Sequence, residues 1–342
     1  MCALKNSSRQ YLIALLSCVC LSTAPSTLAQ EAEPRDAETQ KKVEAFINST
    51  VQEYGLDPEF VRSTVNQAKK NSQVLEAIAR PWEAKPWYQY HPIFLTEKRL
   101  ERGTAFWQKH RETLERAEAE LGVPAHIIVA IIGVETFYGS YTGKYSVLDS
   151  LYSLGFYYPP RSKFFKKELG QYLKLVQEEK WDPQAAMGSY AGAMGWGQFI
   201  SSSYRHYAID FDGDGKRDLM NNPVDAIGSV ANYFKLHKWR AGQPVAYRAS
   251  ITDKAAMELL DSDLAIKHTW QELSDAGVML KDTELSLSGS TPAKLLALEL
   301  EEGEEYWLVL DNFYVITRYN HSPLYAMVVY QFSEQLKAVM QR

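Results

Sequence analysis

The chain has 342 residues, with 42 acidic and 37 basic side chains, a formal net charge of -5 at pH 7 and 46% hydrophobic residues. That length suffices for a large core and two subdomains. The negative balance excludes a nucleic-acid partner held on a basic face, and the chain contains no internal repeat or low-complexity tract.

The first segment does not belong to the core. Lys5 and Arg9 form a charged start, Tyr11 to Leu21 an apolar run too short to span a bilayer, and Thr27-Leu28-Ala29 a small-residue cleavage site. Residues 1–29 therefore read as a secretory signal peptide. Cleavage leaves Gln30 first and, by removing Lys5 and Arg9, takes the formal charge from -5 to -7. Cys2, Cys18 and Cys20 are all lost with it, so disulfide and thiol chemistry play no part in the mature chain. Leu15-Leu16-Ser17-Cys18 loosely matches a lipoprotein cleavage box, but the apolar run before Cys18 is very short and the site at Ala29 is cleaner.

The mature chain reads as mostly α, with a small β-containing segment. Residues 30–40 are polar and read as a flexible start. Asp57-Pro58 opens a helix to about Arg80, with Asp as cap and Pro at the first position, and the run Pro81 to Trp87 breaks it. Thr96 to Leu121 reads as one long charged helix with an apolar stripe. Pro124 to Gly139 follows as a helix that is apolar nearly all round, with Pro at its first position and Gly as its C-terminal cap. Further helices are expected at Tyr145 to Leu154, Lys163 to Glu179, Pro183 to Tyr190, Ser202 to Tyr207, Pro223 to His237 and Ser322 to Met340. Strand-like patterns occupy Val245 to Ile251, Leu295 to Leu300, Tyr306 to Leu310 and Tyr314 to Thr317. The resulting organisation is a helical region over 30–122, a core over 123–240, a small β-containing segment over 241–317 and a returning C-terminal helix over 318–342.

One carboxylate dominates the chemistry. Glu135 lies near the end of the apolar helix, where a buried unpaired carboxylate costs several kcal/mol and tends to hold a proton. Desolvation and the negative end of the helix dipole both raise its pKa, the state a general acid needs at neutral pH. The alternative is a buried Glu satisfied by an Arg or by backbone donors. Asp149 is the nearest second acid in sequence, yet Ser146 to Ser150 reads more readily as a helix turn with a local polar bond. The run Asp210 to Asp218 spaces oxygen ligands at Asp210, Asp212 and Asp214, places Gly215 sixth and the Lys216 carbonyl seventh, and so fits an EF-hand calcium loop. Its twelfth position is Asn221 rather than Glu, and a solvated acidic turn is the competing reading.

Four motifs occur in order: Gly133-Val134-Glu135-Thr136-Phe137-Tyr138-Gly139, the glycine-rich run Gly188 to Phe199, the helix run Asp225 to Phe234, and Tyr319-Asn320-His321-Ser322 with Tyr325. Together they resemble the family-3 lytic transglycosylases from about residue 35 to the end, a far more specific match than any single motif. The resemblance implies a lysozyme-like catalytic body acting on peptidoglycan glycan strands in the periplasm, although some members are outer-membrane lipoproteins. It implies that Glu135 acts first as acid and then as base, yielding a 1,6-anhydromuramoyl end without any catalytic cofactor. It makes Gln198 a substrate contact, Ser189 a donor to the carboxylate or the sugar, and Phe199 a wall of the cleft. Asn320 and Tyr325 would line the cleft opposite Glu135 with Tyr319 beside them, although sequence alone makes Asn320 and Ser322 helix caps. Tyr233 reads as a stacking or hydrogen-bonding wall. Arg161 would meet the anionic peptide or lactyl groups, or stay solvated. Asp225 would close a structural calcium shell with Asp210, Asp212, Asp214, Lys216 and Asp218. Ile200-Ser201-Ser202-Ser203-Tyr204 departs from the expected Met-Pro-Ser-Ser-Tyr ending, at the start of the next helix. The 13 Phe, 8 Trp and 21 Tyr suit sugar stacking as well as a core. Cell-wall synthesis or degradation proteins are conceivable partners, and the chain reads as a monomer. Two rivals remain: a hydrolytic muramidase using Asp149 as second carboxylate, and a non-catalytic, calcium-dependent glycan-binding protein.

Overall fold

The most apolar helix among the described residues is almost wholly buried. The computed structural model describes residues 35–79, 85–281 and 287–341, so the leader and most of the break at Pro81 to Trp87 lie outside the described residues. In chain order the first six helices are α1 (Ala37–Tyr54), α2 (Pro58–Gln67), α3 (Ser72–Ile78), α4 (Trp87–Phe94), α5 (Glu97–Lys109) and α6 (Arg111–Leu121). They lead into α7 (Ala125–Thr136), whose residues are all buried except His126 and Glu135. A short hairpin pairs β1 (Tyr145–Ser146) with β2 (Met187–Gly188), enclosing α8 (Val147–Tyr157) and α9 (Ser162–Glu179). Then come α10 (Ser201–Tyr207) and α11 (Pro223–Leu236). The last part holds β3 (Ala246–Ile251), β4 (His268–Thr269), α12 (Trp270–Asp275), β5 (Val278–Leu280), β6 (Pro292–Glu299), β7 (Glu304–Val309), α13 (Asp311–Tyr319) and α14 (Pro323–Met340).

α7 is surrounded by α5, α6, α11 and α14, which supply the apolar partners its all-round hydrophobic surface demands. A second core joins α1, α2, α8, α9 and α10, and Tyr319 packs against both cores. The antiparallel sheet, in the order β4-β6-β7-β3-β5, has its own small core around Leu295, Leu308 and Leu273.

Several expected elements are corrected. The helix from Asp57 to Arg80 is two helices, because residues 68–71 find tertiary acceptors instead of helical ones. The Lys69 amide donates to Asp149 Oδ1 at 2.8 Å and the Asn71 amide to Ser153 Oγ at 2.8 Å, while Asn71 caps α3. The helix from Thr96 to Leu121 breaks at His110, whose backbone leaves the helical region at φ -112 and ψ 25, so that α5 packs on α14 and α6 on α11. Residues 183–190 form turns and β2, not a helix. Tyr314 to Thr317 belongs to α13, not to a strand; a short apolar cluster does not distinguish the two. From Arg35 onward the expected flexible start is anchored: Arg35 Nε donates to Tyr152 Oη at 2.7 Å, and Asp36 caps α1.

Candidate active site

Pro124 caps α7 rather than starting it, and the helix ends at Thr136, three residues before the expected Gly139. Phe137 and Tyr138 both turn into the left-handed region, at φ 51 and 59. Such backbone is costly for bulky side chains. The return is the placement of Tyr138, whose hydroxyl occupies space that a Cβ at Gly103 or Gly133 would overlap, at 2.3 and 2.4 Å. The end of α7 is thereby wedged against α5. Thr136 fixes the other side, donating to the Trp196 carbonyl at 2.9 Å and accepting the Gly139 amide at 3.0 Å.

Glu135 stands in this rigid last turn and stays partly open to solvent. Its Oε1 accepts the Tyr325 hydroxyl proton at 2.5 Å. Desolvation pushes the carboxyl up to about 7, against which the Tyr325 hydrogen bond acts downward. Burial beside Glu135 holds Tyr325 and Tyr319 well above the usual phenol range, so both remain protonated donors at neutral pH. Tyr325 comes from the first turn of α14, which Ser322 caps. Tyr319, at the end of α13, donates to the Gly197 carbonyl at 2.5 Å and so binds the C-terminal motif to the glycine-rich run. Tyr90 of α4 also acts electrostatically on Tyr325. Sequence reasoning did not single it out, and the only signal was the aromatic run Trp87-Tyr88-Gln89-Tyr90.

The other expected site residues divide. Gln198, itself at φ 51, donates through Nε2 to the Thr142 and Gly195 carbonyls, each at 3.0 Å, and so ties the glycine-rich run to the loop after α7. Ser189 does not bond to Glu135; its Oγ accepts the Ala191 and Ala193 amides at 3.3 and 3.1 Å. Phe199 is 2% exposed and is a core residue, not a cleft wall: it packs on Tyr233 and Tyr319. Tyr233 is likewise buried, spending its hydroxyl on the Arg318 carbonyl and its ring face on His237 at 4.1 Å. Asn320, partly exposed, ends α13 in extended backbone next to Tyr319. Arg161 is exposed at the end of a 3-10 turn, over the rings of Phe164 and Phe165, and no contact joins it to Glu135. Asp149 accepts the Lys69 amide, the structural role favoured for it.

The acidic loop gathers Asp210, Asp212 and Asp214 so that one ligand oxygen from each lies within 4.8 Å of the others. Asp218 and Asp225 are not in that group. Asp218 Oδ1 accepts the Met220 and Asn221 amides, and buried Asp225 accepts the Phe211 and Asp218 amides, each at 2.8 Å. These two shape the loop from behind, and the expected closure by Asp225 is corrected. Three converging carboxylates around a glycine turn fit a hard divalent cation.

A family profile described as the Transglycosylase SLT domain matches residues 38–334. The chain belongs to this transglycosylase family. It is 40% identical over 309 residues to membrane-bound lytic murein transglycosylase B of Escherichia coli, covering 87% of this chain and 83% of that protein. Soluble lytic transglycosylase SltB1 of Pseudomonas aeruginosa is 44% identical with a TM-score of 0.83, covering 88% of this chain and 100% of its own. The E. coli lytic transglycosylase Slt35, solved with calcium, is 40% identical with a TM-score of 0.79, covering 88% and 94% of the two chains. SltB3 of P. aeruginosa, solved with NAG-anhNAM-pentapeptide, is 32% identical with a TM-score of 0.77, covering 87% and 79%. The helix-rich body is thus the lysozyme-like fold of the lytic transglycosylases, and the protein is an enzyme of that family acting on peptidoglycan.

Proposed function

We propose that Glu135 carries both proton transfers of the lytic transglycosylase reaction. Protonated Glu135 gives its proton to the glycosidic oxygen between N-acetylmuramic acid and N-acetylglucosamine. The anomeric carbon–oxygen bond breaks, and N-acetylglucosamine leaves with a free 4-hydroxyl. The Glu135 carboxylate then takes the proton of the muramic 6-hydroxyl, whose oxygen bonds to its own anomeric carbon and closes the 1,6-anhydro ring. Intramolecular attack carries a high effective molarity, so no water-holding base is required. The muramic N-acetyl group stabilises the oxocarbenium-like centre in place of an enzyme nucleophile.

The observation that carries this reading is the Glu135 carboxyl itself, raised to about 7 by desolvation and bonded to a neutral phenol. Such a group passes between acid and carboxylate near neutral pH. Its shift comes from desolvation and the Tyr325 hydrogen bond, and among the described residues no basic side chain forms an ion pair with it, which counts against the binding-module reading; Asp149 accepts the Lys69 amide instead. Gln198, Asn320 and Tyr325 are assigned as substrate contacts, within a catalytic core spanning 123–240 that the C-terminal helix completes. With Glu135 as acid, kcat/KM on soluble glycan strands should fall about tenfold per pH unit above pH 7. A profile that stays level to about pH 9 contradicts it.

Calcium held by Asp210, Asp212, Asp214 and the Lys216 carbonyl would be structural. The loop leads into α11 and, through the Leu219 and Met220 carbonyls, accepts both nitrogens of Trp196 from the glycine-rich run. A cation bound only by the folded state raises the melting temperature by mass action, by about 5 °C at saturating calcium. Chelator should reverse this, and Asp212→Ala should remove the response. An unchanged melt across the titration leaves the acidic-turn reading. The mature chain is assigned to the periplasm as an unlipidated monomer that works on glycan strands.

A further inference from the structure

We propose that Phe137 and Tyr141 form an aromatic platform for a sugar ring of the glycan strand, outside the residues that surround Glu135. Tyr141 is 73% exposed, the most exposed large hydrophobic side chain among the described residues. It is not on a loose loop. Its amide donates to the Thr136 carbonyl at 2.9 Å, and the next carbonyl, of Thr142, accepts Gln198 Nε2 at 3.0 Å. Gly143 follows at φ 109, where an added Cβ would lie 1.9 Å from the Gly188 backbone carbon and 2.5 Å from the Ser189 nitrogen. Arg102 holds the preceding Ser140 hydroxyl at 3.1 Å. A segment pinned at four consecutive residues therefore holds a ring out in water.

The left-handed turn at Phe137 sets a second ring beside it, with centroids 6.1 Å apart and planes inclined by 41°. The Arg99 and Arg102 guanidinium groups each lie 5.3 Å from the Phe137 centroid and brace that ring. The two rings lie two and six residues past Glu135, on a loop hydrogen-bonded to the glycine-rich run through Gln198. The apolar C–H face of a pyranose complements such rings, since it buries apolar surface while its hydroxyls stay wet. The inference rests on the chain being a glycan-cleaving enzyme.

The test measures binding of soluble, peptide-free glycan strands by calorimetry in a Glu135→Gln background, where no turnover occurs. Adding Tyr141→Ala should weaken binding about tenfold, the effect of withdrawing roughly 50 Å² of apolar ring face from contact. Tyr141→Phe should bind as the parent does. The side chain is exposed, so melting temperatures should coincide. Equal binding by Tyr141→Ala and the parent overturns the platform, as does a Tyr141→Phe variant as weak as Tyr141→Ala. Binding that depends on Tyr141 in a protein whose wild type releases no muropeptides supports the platform and removes the catalytic reading.

Discussion

Glu135→Gln is expected to abolish release of soluble muropeptides from purified peptidoglycan and to leave the fold at least as stable as the wild type. Glutamine keeps the shape and its amide oxygen can still accept the Tyr325 hydrogen bond, but it cannot transfer a proton. The stability side follows from linkage. The folded-state pKa is raised to about 7 from 4.5, so Glu135 costs nothing below about pH 4.5, where both states hold the proton. Between about 4.5 and 7 the unfolded chain loses its proton first, and stability falls with rising pH. Above that window the wild type has lost up to about 3 kcal/mol that the glutamine variant retains. Melting curves of the pair should coincide near pH 4 and separate by several degrees near pH 8, with the variant higher. Residual turnover above about a hundredth of wild type would remove Glu135 from the mechanism, since loss of a proton-transfer group costs at least that factor.

Much of this site was legible in the sequence because it rests on local rules. An apolar run bounded by Pro124 and Gly139 reads as a buried helix, so a carboxylate within it is expected to be either perturbed or paired, and desolvation raises it. The alternate aspartates at 210, 212 and 214 with Gly215 specify their own turn, and they do converge. Asp149 also took the structural role its surroundings favoured. What failed depended on partners distant in sequence. Residues 68–71 leave the helix because Asp149 and Ser153, some eighty positions away, offer acceptors. Asp225 does not join the aspartate group because two backbone amides already occupy its carboxylate. Phe199 and Tyr233 look like cleft aromatics by motif but are buried against each other and against Tyr319, whose hydroxyl bonds to the glycine-rich run. The left-handed pair after Thr136 could not be foreseen either, because the slot for Tyr138 is made by Gly103 on another helix.

The Tyr325 hydroxyl donates to Glu135, and the second carboxylate is placed elsewhere. Asp149, the second carboxylate that the sequence offered, is engaged by the Lys69 amide instead. In the proposed reaction the new bond at the anomeric carbon comes from the substrate's own 6-hydroxyl. Mass analysis of the muropeptides released by the wild-type enzyme is the direct measurement. Every new muramic end should be about 18 Da lighter than a hydrolysis product, the mass of the water that intramolecular attack does not consume, and should resist borohydride reduction. Predominantly reducing muramic ends would contradict the account and return Asp149 to consideration as a second catalytic carboxylate.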